Sequence, residues 1–332
     1  MATFARTWHQ WVCVALLSAR SLSAQAATTA EQVTFRSGDV TLAGTLYLPS
    51  QPGRHPAIVA LHASNGGSRD SPAYQHLASA VPAAGFAVLL YDRRGEGASG
   101  GSRPAGFDPL VADGVAAVAY LRSRPDIDSS RIGVWGLSQG GWLAPLVATK
   151  SRDVAFAILV SAPGVTPARQ MDYTASYALR AAGEPPDVVN RALHVRAVVD
   201  DYYRGRVTKS VAEAAVNGIQ QESWFSQVFL PVGGRLPDDP THSLWGATMD
   251  YDPLATLARL TVPVVFFFAD DDAYVPVEES MTLVRKATRA SDVTVLRVPG
   301  TDHAMETGGP ASGGQTSTVY IQELLDWLRR RR

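Results

Sequence analysis

The segment Gly136-Leu137-Ser138-Gln139-Gly140 sets a hydroxyl between two glycines, and the chemistry open to that arrangement is nucleophilic attack on a carbonyl. A short apolar run, residues 132–135, leads into it, and a helix-compatible stretch, residues 141–150, leads out. A strand turning sharply into a helix leaves no space for side chains beside the turn, which requires glycine at Gly136 and Gly140. The N-terminus of the following helix presents unpaired N–H groups and a positive dipole end to a developing oxyanion. The Gln139 N–H is therefore a candidate oxyanion donor.

A serine hydroxyl needs a base, and the chain order expected for a strand–serine–helix elbow is serine, acid, histidine. Three histidines follow Ser138. His194 and His242 fall in a stretch without strand pattern, whereas His303 closes Pro299-Gly300-Thr301-Asp302-His303 after the last apolar run. That places it at the carboxyl edge of the sheet, where catalytic groups of open α/β sheets gather, so His303 is the candidate base. The acid comes from Asp270-Asp271-Asp272, which ends the preceding run and leads into Ala273-Tyr274-Val275-Pro276; of the three, Asp272 is chosen. A calcium loop would need oxygens at alternate positions plus a distant bidentate carboxylate, and no such array is present in the sequence. Asp302 is next in chain to His303 and reaches the same imidazole poorly, and Asp292 precedes a strand at the opposite edge. The second oxyanion donor is expected from His62-Ala63-Ser64-Asn65-Gly66-Gly67, with the Ser64 N–H as candidate and His62 as a structural brace.

The elements that must carry these groups are legible as a change of rhythm. Residues 32–36 and 40–48 alternate as an antiparallel hairpin would. Runs at 57–61, 86–91, 132–135, 155–160 and 262–268 are apolar throughout and 293–298 is mostly so, and all six read as strands buried on both faces. Helical stretches such as 110–121 lie between them. Strand alternating with helix predicts an α/β fold with a mostly parallel central sheet and helices on both faces. The alternation lapses between Pro163 and Tyr251, where 187–201 and 209–217 read as helices. A core of residues 27–163 and 252–332 with a helical cap insertion, 164–251, is the expected organisation. Trp224, Phe225 and Trp245 in this insertion are candidates for lining a substrate pocket, and Tyr202 and Tyr203 join them; the same aromatics would serve equally well to hold the insertion together. A bounded pocket under such a cap is expected to favour short acyl chains.

Composition narrows the remaining classes. Hydrophobic residues make up 46% and charged residues 18% of the 332-residue chain, enough apolar surface for a packed interior. The formal net charge is −1 and the one basic run is at residues 329–332, so nothing marks a nucleic-acid partner. Arg6, an apolar run at 11–17 and the small-x-small site Ala24-Gln25-Ala26 read as a signal peptide, residues 1–26, which predicts a periplasmic or secreted protein. Cys13, the single cysteine, lies inside that segment, so the processed chain is expected to hold no disulfide or cysteine nucleophile. Past it, no apolar run reaches the ~18 residues of a membrane span. The sequence sets no oligomeric state.

With these residues assembled, the chain resembles the α/β-hydrolase family over residues 33–328, in particular bacterial exported esterases related to dienelactone hydrolases and acylaminoacyl-peptidase-like proteins. The resemblance is carried by the His62 loop, Tyr91-Asp92-Arg93-Arg94-Gly95-Glu96-Gly97-Ala98-Ser99, the Ser138 elbow, Asp272-Ala273-Tyr274-Val275-Pro276 and Gly300-Thr301-Asp302-His303. In such enzymes the acid stands three residues before the Val-Pro pair, which supports Asp272, and the segment after Asp92 is structural. The resemblance implies acyl transfer on a small-molecule ester with Ser138, His303 and Asp272 as the triad and no cofactor or metal. Two departures stand out: Ala63 where the family usually has glycine after the histidine, and Ala269 where it often has glycine before the acid. A peptidase or amidase using the same triad is the alternative, and a non-catalytic binding protein on the same fold is a third reading.

Overall fold

Alternate residues of the apolar run 264–269 face opposite ways. Val264, Phe266 and Phe268 enter one hydrophobic layer, and Val265, Phe267 and Ala269 enter another. Each layer must be covered by helices, and that requirement generates the architecture. The computed structural model describes residues 28–103, 106–231, 233–308 and 314–331. The expected signal segment and Cys13 lie outside the described residues.

Eight strands form one sheet: β1 (Thr29–Ser37), β2 (Val40–Leu48), β3 (His55–Leu61), β4 (Ala87–Tyr91), β5 (Ile127–Leu137), β6 (Val154–Val160), β7 (Val264–Ala269) and β8 (Val293–Val298). Their order is β1-β2-β4-β3-β5-β6-β7-β8. The β1–β2 hairpin and the β2–β4 pair are antiparallel, and every pair from β4 to β8 is parallel. The mostly parallel α/β sheet predicted from the apolar runs is therefore present. Only β5 departs much from its predicted extent. Its amino half, Asp128-Ser129-Ser130-Arg131, is polar and outside the apolar pattern, yet Ile127 pairs with His55 before the register shifts near Ile132.

The α-helices of the described residues are α1 (Pro72–Ala83), α2 (Phe107–Ser123), α3 (Gln139–Lys150), α4 (Pro167–Ala181), α5 (Pro186–Tyr203), α6 (Lys209–Asn217), α7 (Leu244–Thr248), α8 (Pro253–Leu257), α9 (Val277–Ala287) and α10 (Thr318–Arg329). Leu110, Val118, Leu143, Val147 and Val284 place α2, α3 and α9 on one face. Tyr74, Leu77, Leu324 and Trp327 place α1 and α10 on the other. Between β6 and β7 the chain leaves the sheet for α4 to α7. Leu179, Val189, Val195, Val199 and Val216 there build an apolar cluster separate from the two layers of the sheet. No helix of the described residues is long and apolar enough to cross a membrane.

Strand order reverses around β3: the chain runs outward from β3 to β4 and then returns past it to β5. Loops diverge at such a point and leave a crevice at the carboxyl ends of the strands. His62, directly after β3, closes the outer side of that crevice by hydrogen-bonding through Nε2 to the Tyr91 carbonyl oxygen at 2.6 Å. Burial, aided by the Arg93 guanidinium, pushes its pKa down to about 3. The folded value lies below the ordinary 6.5, so the unfolded chain takes up a proton that the folded chain refuses. The resulting stabilisation is complete above pH 6.5 and is lost as pH falls toward 3, at up to ~1.4 kcal/mol per pH unit. Urea unfolding at pH 7 and pH 5 is expected to show a fall of about 2 kcal/mol from this group, and His62→Asn is expected to remove that part of the fall. An unchanged pH dependence in the variant would contradict the assignment.

Candidate active site

Ser138 sits between β5 and α3 with φ 55 and ψ −112, a left-handed conformation that costs a non-glycine residue energy and persists only where its surroundings enforce it. The enforcement is visible. A Cβ at Gly136 would lie 2.0 Å from the Gly140 carbonyl oxygen, and one at Gly140 would lie 2.3 Å from the Leu61 carbonyl oxygen. Gly141 meets the same limit, 2.4 Å from the Ala162 side chain, a third small-residue requirement that the five-residue pattern did not include. The Ser138 N–H bonds the Val160 carbonyl at 2.9 Å and its carbonyl accepts from Gly141 at 2.8 Å, so the turn is tied to β6 and to the first turn of α3.

Asp272 follows β7 and His303 follows β8, and the two meet at the same sheet edge. His303 Nδ1 is 2.9 Å from each carboxylate oxygen of Asp272. The Asp272 side chain is fully buried and the His303 side chain is 19% exposed. Oδ1 of Asp272 also accepts the N–H groups of Tyr274 at 2.8 Å and Val275 at 2.9 Å, so the carboxylate is fixed by its own loop before it reaches the imidazole. Neighbouring aspartates do other work: Asp271 accepts from the Tyr177 hydroxyl at 2.8 Å, and Asp270 from the Gly300 N–H at 3.3 Å. Asp302 turns into its own loop, accepting from Ala304 and Glu306, and Asp292 pairs with Arg331. His242 is exposed and bonded to Asp239, and His194 is exposed on α5.

Two supports of this pair have no local sequence signal. The Tyr173 hydroxyl, on α4, donates to the Asp272 carbonyl at 2.9 Å; burial followed by the nearby Asp272 charge raises the Tyr173 pKa. The Ser161 hydroxyl at the end of β6 donates to the His303 carbonyl at 2.8 Å. The Tyr274 ring lies against the imidazole, with centroids 4.9 Å apart.

Neither the Ser64 nor the Gln139 N–H donates to another group among the described residues, whereas the Ala63 N–H is taken by the Tyr74 hydroxyl at 3.1 Å. Both candidate oxyanion donors are held by one side chain. The buried Arg93 guanidinium donates to the Ser64 carbonyl at 3.0 Å, to the Ala63 carbonyl, and to the Gln139 side-chain oxygen at 3.2 Å. Arg93 thus joins the loop after β3 to the elbow after β5; burial lowers its pKa and Glu96 opposes that shift. The segment after Asp92 reads in the sequence as purely structural, and the reach of Arg93 into this site adds to that reading.

Ser138, His303, Trp142, Met171, Phe229 and Trp245 share the lining of a cavity of about 880 Å³. Trp245, one of the three aromatic candidates from the insertion, is part of this lining. Trp224 and Phe225 do not line this cavity. They are 3% and 8% exposed within the apolar cluster of α5 and α6, because a Trp and a Phe at the end of a helical hairpin bury more area inward than toward a cleft. No cluster of three or more His, Cys, Asp or Glu side chains arranged for a metal ion occurs among the described residues.

The parallel sheet, the elbow and the Asp272–His303 pair define an α/β hydrolase. Residues 55–307 match the family described as serine aminopeptidase, S33, and the chain belongs to that family of hydrolases. It is 27% identical to the quorum-quenching protein AidA of Acinetobacter baumannii, over 90% of this chain and 94% of that one. Its identity to the esterase EstD of Thermotoga maritima is 22%, over 87% of this chain and 64% of the other. An esterase of Pyrococcus furiosus shares the fold at a TM-score of 0.57 and 18% identity, covering 92% of this chain and 90% of that one.

The bonding around Asp272 predicts a sharp contrast within the triplet. Asp272→Asn alters the partner that selects the His303 tautomer and is expected to lower kcat roughly 10²–10⁴-fold; Asp270→Asn and Asp271→Asn are expected to stay within a few-fold. Steady-state kinetics on the three variants decides it, and a large loss at either neighbour would show that the acid is misassigned.

Proposed function

We propose that this protein hydrolyses carboxylic esters through an acyl-enzyme on Ser138, with His303 as general base and acid and Asp272 as the carboxylate that orients it. The observation that carries this reading is the double 2.9 Å contact of His303 Nδ1 with a buried Asp272, beside the cavity that both His303 and Ser138 line. With Nδ1 engaged as donor, Nε2 is the basic nitrogen. The Ser138 hydroxyl adds to the ester carbonyl as Nε2 takes its proton, and the oxyanion rests on the Ser64 and Gln139 N–H groups. Collapse expels the alcohol, which leaves with that proton. Water then repeats the sequence on the acyl-enzyme, with His303 again taking and returning the proton and free acid leaving.

Esters are favoured over peptides by the charge of the cavity. Recognition of a peptide N-terminus calls for a carboxylate facing the ammonium. Among the described lining residues the single carboxylate is Asp302, whose Oδ1 accepts two N–H groups of its own loop. The esterase name of one relative points the same way. We assign residues 164–251 as a cap on the core of residues 27–163 and 252–332, with Met171, Phe229 and Trp245 among the side chains it contributes to the cavity wall.

The cavity volume changes the expected acyl preference. At about 880 Å³ it lies near the upper end of the ~300–1,000 Å³ found for small-molecule sites, volume enough for an acyl chain longer than the short ones expected of a tightly bounded pocket. Each further methylene buried adds ~0.8 kcal/mol of binding. On p-nitrophenyl esters kcat/KM is therefore expected to climb from acetyl past hexanoyl to octanoyl, and a peak at butyryl or shorter would mean that the acyl chain does not enter this cavity. Ser138→Ala is expected to lower kcat by ~10⁴-fold or more with an unchanged fold; retention of a tenth of the activity would contradict the covalent role.

A further inference from the structure

A second cavity of about 410 Å³ lies within the helical insertion, and Met171, Phe229 and Trp245 line both it and the Ser138 cavity. Its walls are mostly apolar, with Val199, Leu230 and Pro231 among them. Two side chains of α5 break that pattern: Arg196 and Asp200, 3% and 4% exposed. Burying charged groups in an apolar wall is costly unless their hydrogen-bonding capacity is used. Arg196 Nε donates to Asp172 at 3.0 Å and Nη1 to the Val228 carbonyl at 2.8 Å. Its Nη2 has no hydrogen-bond partner among the described residues. Asp200 Oδ1 accepts the Trp245 indole N–H at 3.0 Å, and Oδ2 likewise has no partner among the described residues. Burial raises the Asp200 pKa from its ordinary value. At the junction of the cavities, Phe229 is half-exposed and left-handed at φ 55, a strained placement of an apolar ring of the kind found at ligand-binding sites.

We propose that this second cavity is a substrate subsite for a neutral group that both donates and accepts hydrogen bonds, a hydroxyl or a primary carboxamide, at the far end of the acyl chain. The proposal deepens the ester-hydrolase reading and rests on it. The two charges select for neutrality. A carboxylate that meets Arg196 also meets Asp200, and an ammonium that meets Asp200 also meets Arg196. A carboxamide satisfies both, its oxygen accepting from Arg196 Nη2 and its N–H donating to Asp200 Oδ2. A plain methyl end satisfies neither and, by displacing the water that can reach them in the open cavity, leaves both unpaired, the situation in which hydrogen-bonding pockets discriminate most.

The test compares p-nitrophenyl esters of straight-chain acids of six to ten carbons with counterparts whose terminal methyl is replaced by a primary carboxamide. With the wild-type protein, kcat/KM for the carboxamide is expected to exceed that of its methyl counterpart by ~10-fold or more at one or more chain lengths. Arg196→Met and Asp200→Leu are expected to bring that ratio to one or below. The ratio is internal to each protein, so a general loss of activity does not imitate the effect, and the wild-type ratio decides the matter if a variant fails to fold. Hydrolysis of the methyl series with no carboxamide preference at any length overturns the subsite and leaves the esterase reading standing. If neither series is hydrolysed, the esterase reading fails. Calorimetric titration of the wild-type protein with the matching methyl ketones then decides the subsite: ~10-fold tighter binding of the carboxamide form supports it, and equal binding overturns it.

Discussion

Backbone meets backbone where β5 turns into α3, and the rest of the site depends on that contact. With 2.0 Å between a would-be Cβ at Gly136 and the Gly140 oxygen, and 2.3 Å between one at Gly140 and the Leu61 oxygen, the elbow packs against itself and against the end of β3. No side chain longer than hydrogen fits either position without moving the strand, the helix or both. That closeness holds Ser138 at φ 55 and projects it from the sheet edge rather than along it. It also brings the loop after β3 within reach of α3, which is what the proposed pairing of the Ser64 and Gln139 N–H groups at one oxyanion requires.

Fixing the turn is not sufficient, because the proposed partners of Ser138 come from loops that could settle in many ways. Each is held by hydrogen bonds from a neighbouring strand end or from helix α4. Arg93, after β4, ties the Ser64 loop to Gln139. Ser161, after β6, holds the His303 backbone, and Tyr173, on α4, holds the Asp272 backbone. Every parallel strand from β3 to β8 therefore contributes either a candidate site residue or the brace of one. The Tyr173 bond also couples the helical insertion to the acid loop, so a change in the insertion can alter the imidazole's partner as well as the cavity shape.

The fold was readable because strands buried on both faces are apolar throughout, as in residues 264–269, and that pattern needs no tertiary knowledge. The amino half of β5 was not readable, since Asp128-Ser129-Ser130-Arg131 lies at a sheet edge where polar side chains meet water. Ser138 and His303 could be placed from type, neighbours and chain order. Asp272 could not be separated from Asp270 and Asp271 by residue type; what distinguishes it is burial and two N–H bonds from its own loop, both consequences of the turn before α9. Arg93 and Tyr173 escaped because their partners lie about 30 and 99 residues away and no local spacing encodes such contacts. Trp224 and Phe225 show the converse: aromatics in an insertion first build that insertion's interior, and only Trp245 of the three had surface left for the cavity.

The proposed function turns on one covalent event at Ser138, and the most direct test is to observe it. Rapid mixing with a p-nitrophenyl ester, followed by acid quench and mass measurement of the intact protein and its peptides, reads the acyl group and its position together. The account predicts a mass increase equal to the acyl group, carried by the peptide containing Ser138 and absent from Ser138→Ala. Turnover of the ester with no acylated protein under conditions of fast acylation, or acylation at another residue, would contradict it.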